Sequence, residues 1–201
     1  MLTAKGSATR RRIVEAAAEE IRRHGVTVTT LDDVCRRSRT AKGQVFHYFP
    51  DGKEQVLVAV AELEAERVFD DQEPYLGQLT SRAAWQAWRG HVVRTHRDQG
   101  LHCPLGVLIV DLGRYSVTAQ AVSSALVTRW QECLRAGIEA TQAAGEADPT
   151  LDSDRTAAAV IAAIQGGVAV LRSTGSAENL EAGLDLCLDR IFGPKFRHAM
   201  R

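Results

Sequence analysis

Residues 30–49 read TLDDVCRRSRTAKGQVFHYF, and the fold follows from this stretch. A short amphipathic run (Leu31, Val34, Cys35) leads through a tight connection into a second short run. The second run carries Lys42, Gln44, His47 and Tyr48 beside the apolar Val45, Phe46 and Phe49, which are expected to face inward. Two helices this short bury little on their own. Together they predict a helix-turn-helix, whose second helix is offered to the DNA major groove. Thr30 with Asp33 has the form of a capping box with Asp in place of Glu, and opens the first of the pair.

Upstream, a first helix is expected from Ser7 or Thr9, with Ile13, Ala16, Ala17 and Ile21 as its inner stripe. Arg22, Arg23 and His24 suit its C-terminus, and Gly25 ends it. Arg10, Arg11 and Arg12 read as a basic arm that follows the DNA backbone or enters the minor groove. Downstream, Pro50-Asp51-Gly52 is a turn, and a fourth helix follows over 54–69. Residues 70–80 hold Pro74 and Gly77 without a helical stripe. Further helices are predicted at about 81–98, 104–115, 117–145, 152–173 and 177–192. About nine helices and almost no strand signal make the chain all-α, far above the ordinary helical share of roughly one-third. The expected organisation is a DNA-binding domain over 1–53 and a ligand-binding and dimerisation domain over 54–201, with the fourth helix connecting them.

The chain has 201 residues and a formal net charge of zero, with an apolar share of 45%. That neutrality hides a polarity. Residues 1–50 hold ten Lys/Arg against five Asp/Glu, so the acidic excess lies in the rest. A positive end on a negative body fits polyanion binding confined to that end. The first twelve residues are polar and basic with no apolar core, so no secretory signal is read. No apolar run approaches the length of a membrane span. Four widely spaced cysteines (Cys35, Cys103, Cys133, Cys187) argue for reduced thiols in a cytoplasm.

The segment resembles the DNA-binding domain of TetR-family transcriptional regulators. The carriers, in order, are the first helix ending at Gly25, the Thr-rich link, the Asp-Asp-Val start of helix 2, AKGQVFHYF, and the GKEQ opening of helix 4. Ala41 to Phe49 follow the family pattern S-K-G-x-L-Y-x-Y-F without a gap. The extra Gly in FPDGKEQV and the Cys103-Pro104-Leu105-Gly106 segment resemble the LmrA/YxaF-like branch. There are two departures. The usual Ala-Gly-Val turn is Ser38-Arg39-Thr40, so Arg39 must accept strain or take another turn. The usual Ser that starts helix 3 is Ala41, which cannot cap, and Thr40 is the nearest substitute.

On the reader, Lys42 suits guanine O6/N7 and Gln44 suits adenine N6/N7. Gly43 lets the backbone approach the duplex, and His47 lies one turn on. Tyr48, Lys53, Arg10 and Arg39 suit phosphates, as does Thr30 with the N-terminus of helix 2. The alternative for Arg36, Arg37 and Arg39 is a solvated face.

The resemblance implies a homodimer on a palindromic operator. It also implies a small-molecule effector held between helices of the C-terminal half, and most often repression relieved by that effector. Pocket candidates are Trp85, Trp88, His91, Cys103, Val107, Trp130, Cys133, Leu134 and Gln165, so a lipophilic or aromatic effector is expected. Dimerisation is expected through the last two long helices. Their stripes are Val160, Ile164, Val168 and Leu171, and Leu180, Leu184, Leu188 and Ile191, with Ala157, Ala163, Gly166 and Gly167 admitting a partner.

No cofactor is implied. There is no Walker loop, dinucleotide fingerprint, HExxH or GxSxG, so an enzyme is not expected. His91, His96, His102 and Cys103 match no standard zinc spacing. The alternative is a helical dimeric small-molecule-binding protein or enzyme with a degenerate reader.

Overall fold

The computed structural model describes residues 3–100 and 117–193. Eight α-helices and no strands occur among them. They are α1 (Ala4–His24), α2 (Leu31–Ser38), α3 (Lys42–Tyr48), α4 (Lys53–Asp70), α5 (Arg82–Gln99), α6 (Val117–Ala143), α7 (Ser153–Thr174) and α8 (Glu178–Phe192). The helix expected over 104–115 lies outside the described residues, as do Cys103 and Val107.

The described residues fall into two compact units. One holds those up to Val68 and the start of α6 as far as Ser124. The other begins at Phe69 and takes α6 from Ala125.

In the first unit, α1 starts earlier than the sequence pattern suggests. Thr3 caps it by accepting from the Gly6 amide at 3.1 Å. An apolar stripe marks only where a helix is buried, and the opening turn carries none, so the cap alone sets the start. Gly25, at φ 84°, ends α1. Its inner face buries Ile13, Ala16, Ala17 and Ile21. The carboxylate of Glu64 on α4 is fully buried. It is held by Arg22 of α1 at 2.6 Å and Arg67 at 2.7 Å. A buried anion is tolerable only with such cationic partners, and these fix α4 to α1.

In the second unit, α5 is tied to α8 by Arg89, which donates to both oxygens of Asp185 at 2.9 and 3.0 Å. Ser81 caps α5 and Asp152 caps α7. Among the described helices, α7 and α8 make the most extensive contact. Gly167 of α7 lies so close to α8 that a Cβ there would stand 2.4 Å from the Leu180 Cα.

This packing corrects the expected subunit surface. Val160, Ile164, Val168 and Leu171 are buried within the protomer, as are Leu180, Leu184, Leu188 and Ile191. Ala157 is fully buried too, and Gly167 and Ala163 meet α8 of their own chain. Periodicity reports that a face is covered; it does not say by which chain.

Candidate nucleic-acid interface

The reader is built from α1, α2 and α3. Thr30 accepts from the Asp33 amide at 3.2 Å, while Asp33 accepts from the Thr30 amide at 3.0 Å, so the capping box is complete. The Thr30 hydroxyl also donates to Asp33 at 2.6 Å, and these bonds hold the Asp33 carboxyl below its ordinary range, with a further contribution from Arg36. The cap places α2 and leaves the Thr30 side chain exposed at the helix N-terminus.

The turn between α2 and α3 passes through Arg39, at φ 53° and ψ 44°. It is the one non-glycine residue with positive φ among the described residues. The sequence left strain or a different turn open; the chain takes the left-handed turn with its Cβ present. That conformation costs an L-residue about 1 kcal/mol. Arg39→Gly should therefore raise stability by about 0.5 kcal/mol, the strain relief being partly offset by glycine's larger unfolded-state entropy. A small rise in Tm on thermal melting checks this; a fall shows the turn is unstrained.

Thr40 does not cap α3. It is buried and its hydroxyl donates to the Ser38 carbonyl at 3.2 Å, so its oxygen is turned back toward α2. Ala41 is the N-cap residue and offers no side-chain bond. α3 therefore begins with unfilled amide donors on its exposed end.

Along α3, Val45 is fully buried, as is Phe49 just beyond its end. Phe46 is not inward-facing: it is 42% exposed, and its ring edge lies over the turn where a Cβ on Gly52 would meet it at 3.4 Å. Positions 45 and 49 share a face four residues apart, and position 46 is rotated about 100° from it. Lys42, Gly43, Gln44 and His47 are all exposed, and among the described residues a Cβ on Gly43 would meet nothing within 4 Å. Tyr48 is half-buried against the edge of His47.

The cations around α3 are largely engaged. Lys42 Nζ stands 2.9 Å from Asp32 Oδ1, and that hydrogen bond raises the ammonium pKa. Arg36 pairs with Asp33 at 3.0 Å, and Arg37 with Glu20. Lys53 donates to the Val26 carbonyl at 3.0 Å, with its other two donors unassigned to that bond. The arm expected at Arg10, Arg11 and Arg12 is instead a regular part of α1. Arg10 stacks over Phe49 at 5.2 Å, Arg11 pairs with Glu15, and Arg12 donates to the Ser38 carbonyl at 3.0 Å. A helix reaching back to Ala4 leaves these three no freedom to enter a minor groove as an extended arm.

In the second unit the three tryptophans form part of the core. Trp85 and Trp88 are fully buried and meet edge to face at 5.5 Å, and Trp130 is 1% exposed. Trp85 donates to Thr141 Oγ1 at 3.1 Å. Trp88 and Trp130 donate to the same Gln72 oxygen at 3.1 and 3.2 Å. Gln72 is a central residue that sequence reasoning passed over, because it lies in a stretch with no helical stripe. Leu134 is buried with them. His91 contacts the Asp71 carbonyl through Nε2 and stacks on Tyr75 at 4.8 Å. Burial, with a smaller push from His91, lowers the His96 pKa to about 4. Burial raises the Cys133 thiol, with smaller coulombic influences of both signs. Gln165 keeps a buried amide nitrogen without a partner among the described residues.

The chain matches two family models: "Bacterial regulatory proteins, tetR family" over residues 13–60, and "Tetracyclin repressor-like, C-terminal domain" over residues 80–185. It is similar to an uncharacterized HTH-type transcriptional regulator of Mycobacterium tuberculosis, with 31% identity over 107 residues. That match covers 52% of this chain and 53% of the relative, so the chain spans about half the length of that protein. An uncharacterized HTH-type transcriptional regulator of Lactococcus lactis subsp. lactis is 24% identical over 189 residues, covering 89% and 90% of the two chains. Among solved structures, a TetR transcriptional regulator from Chloroflexus aurantiacus is 25% identical, with a TM-score of 0.76 over 92% of this chain and 95% of that one. The C-terminal model alone spans more than half of this sequence, and the chain belongs to the TetR family of bacterial regulatory proteins.

Proposed function

We propose that this chain is a DNA-binding transcriptional repressor of the cytoplasm. It works as a homodimer on a palindromic operator and is released by a small lipophilic or aromatic effector. The observation that carries the reading is the exposed face of α3, which presents Lys42, Gly43, Gln44 and His47 to solvent. In this reading residues 1–53 are the reader and 54–201 the ligand-binding and dimerisation part. Thr30, Tyr48, Arg39 and the free donors of Lys53 serve phosphates, and Arg10 braces Phe49 beneath α3. The effector site draws on Trp85, Trp88, His91, Cys103, Val107, Trp130, Cys133, Leu134 and Gln165. The buried, unpartnered Gln165 nitrogen supports a polar point of attachment within an apolar site. The LmrA/YxaF-like branch is the placement we favour, on the extra Gly52 and the Cys103–Gly106 segment.

The test is binding of labelled duplex. The protein should enrich a palindrome from a randomised library, and its affinity should fall steeply with salt, as phosphate neutralisation requires. No preference for any sequence over random duplex rejects the reading.

The dimer belongs on the outer face of α7 and α8, opposite the stripes that close the protomer. Ala159, Ala162, Gly166 and Ala169 are exposed along α7, and Ala182 and Leu186 along α8. Leu186 is 61% exposed, beside a groove of about 380 Å³ lined by Leu151, Arg155, Thr156, Ala159, Cys187 and Arg190. α7 is apolar enough for a membrane span by composition alone, with 44% of its apolar window buried. Small residues on the remaining surface suit close helix approach by a second copy. Leu186→Glu should raise the dimer dissociation constant about 30-fold, since each of the two subunits forfeits about 1 kcal/mol of leucine burial. Sedimentation at graded concentrations reads this; an unchanged constant removes Leu186 from the contact.

A further inference from the structure

We infer that Asp32 is a specificity-determining residue of the reader, converting Lys42 from a phosphate clamp into a base-edge donor. The inference rests on the DNA-binding reading above. Asp32 Oδ1 stands 2.9 Å from Lys42 Nζ, at the first turn of α3, with both side chains more than half exposed. The pair is neutral as a unit. A phosphate approaching this ammonium brings a second anion within about 5 Å of the Asp32 carboxylate, and that repulsion cancels most of the attraction. A guanine edge brings no net charge. The ammonium has three donors, of which Asp32 engages one, so two remain for guanine O6 and N7. The carboxylate is also an acceptor of the kind that suits a cytosine N4 amino group, so one G·C pair satisfies both side chains at once. The pairs around this one leave the arrangement intact: Asp33 is committed to Thr30 and Arg36, and Glu20 to Arg37.

A charge whose role is to discourage phosphate acts on random duplex more than on the selected site. The experiment compares wild type, Asp32→Asn, Lys42→Ala and the double variant by fluorescence anisotropy, on a random-sequence duplex and on the palindrome the wild type enriches. Asp32→Asn should bind random duplex about fivefold more tightly, with the logarithmic salt slope steeper by about 2, as the Lys42 of each subunit takes up a phosphate. Affinity for the palindrome should change by less than about twofold, so discrimination falls. In the Lys42→Ala background the same substitution should leave the salt slope unchanged. Equal tightening on both duplexes makes Asp32 a general repulsive charge and overturns the inference. So does an unaltered slope in the single variant, or the same steepening without Lys42. Asp32 is solvent-exposed, and matched thermal melts show that the variants are folded. If wild type binds no duplex and enriches no palindrome, the DNA-binding reading itself falls, a result distinct from a normal reader with an indifferent Asp32.

Discussion

Lys42→Ala is expected to weaken binding to the enriched palindrome by about 30- to 100-fold, while binding to random duplex falls only a few-fold. The magnitude follows from position and symmetry. Lys42 opens α3 and is exposed, while Val45 and Phe49 anchor the opposite side of the helix in the core. A good base contact is worth about 1–3 kcal/mol, and a two-fold dimer loses it twice. The lower part of that range applies, because the ammonium keeps one of its three donors on Asp32 and brings a partly neutralised charge to the base. Removing it also leaves the Asp32 carboxylate unpaired beside the duplex, which accounts for the modest loss on random sequence. Titrations of both duplexes in the same buffer check the ratio. A variant that keeps wild-type affinity for the palindrome shows that Lys42 reads nothing. An equal loss on both duplexes assigns it to phosphate and contradicts the role given to Asp32.

The same helix marks how far the sequence could be read. Spacing and turn residues were enough for the Thr30–Asp33 capping box, the stop at Gly25 and the exposed set on α3, because these depend on local chemistry. Four features were not legible for identifiable reasons. The extension of α1 to Ala4 depends on a single Thr3 hydroxyl, and it turns Arg10, Arg11 and Arg12 from an arm into helix surface. Phe46 shares composition with Val45 and Phe49 but not their angle on the helix, and in a seven-residue element an error of one position changes the face. Gln72 satisfies two indoles at once from a stretch lacking any periodic pattern, and no sequence signal points to a long-range polar bond of that kind. The stripes of α7 and α8 were visible, and their partner was not. Each helix covers the other within one protomer, which leaves the small-residue face outward.

Gly167→Ala tests that last assignment directly and should cost about 3 kcal/mol of folding stability. A Cβ at Gly167 would stand 2.4 Å from Leu180 Cα, 2.7 Å from its Cβ and 2.9 Å from its nitrogen. Two of these are backbone atoms, which no rotamer change can move. The strain is relieved only by parting α7 from α8, which opens gaps along Val160, Ile164 and Val168 on one side and Leu184 and Leu188 on the other. Overpacking of this severity lies at or beyond the upper end of the usual 1–3 kcal/mol, and the roughly 1 kcal/mol gained from alanine's helix propensity offsets only part of it. For a chain of this size the net loss lowers Tm by about 6–12 °C. Gly166→Ala is the internal comparison. Among the described residues a Cβ there meets no atom beyond its own helix within 4 Å, so an isolated subunit gains helix stability from it. On the outer face proposed for the second copy, that same methyl group intrudes between subunits. Gly167→Ala should therefore lower the melting temperature at any protein concentration, whereas Gly166→Ala should leave folding intact and weaken association. Identical behaviour of the two variants means that one surface serves both contacts, and the separation of protomer core from subunit interface is wrong.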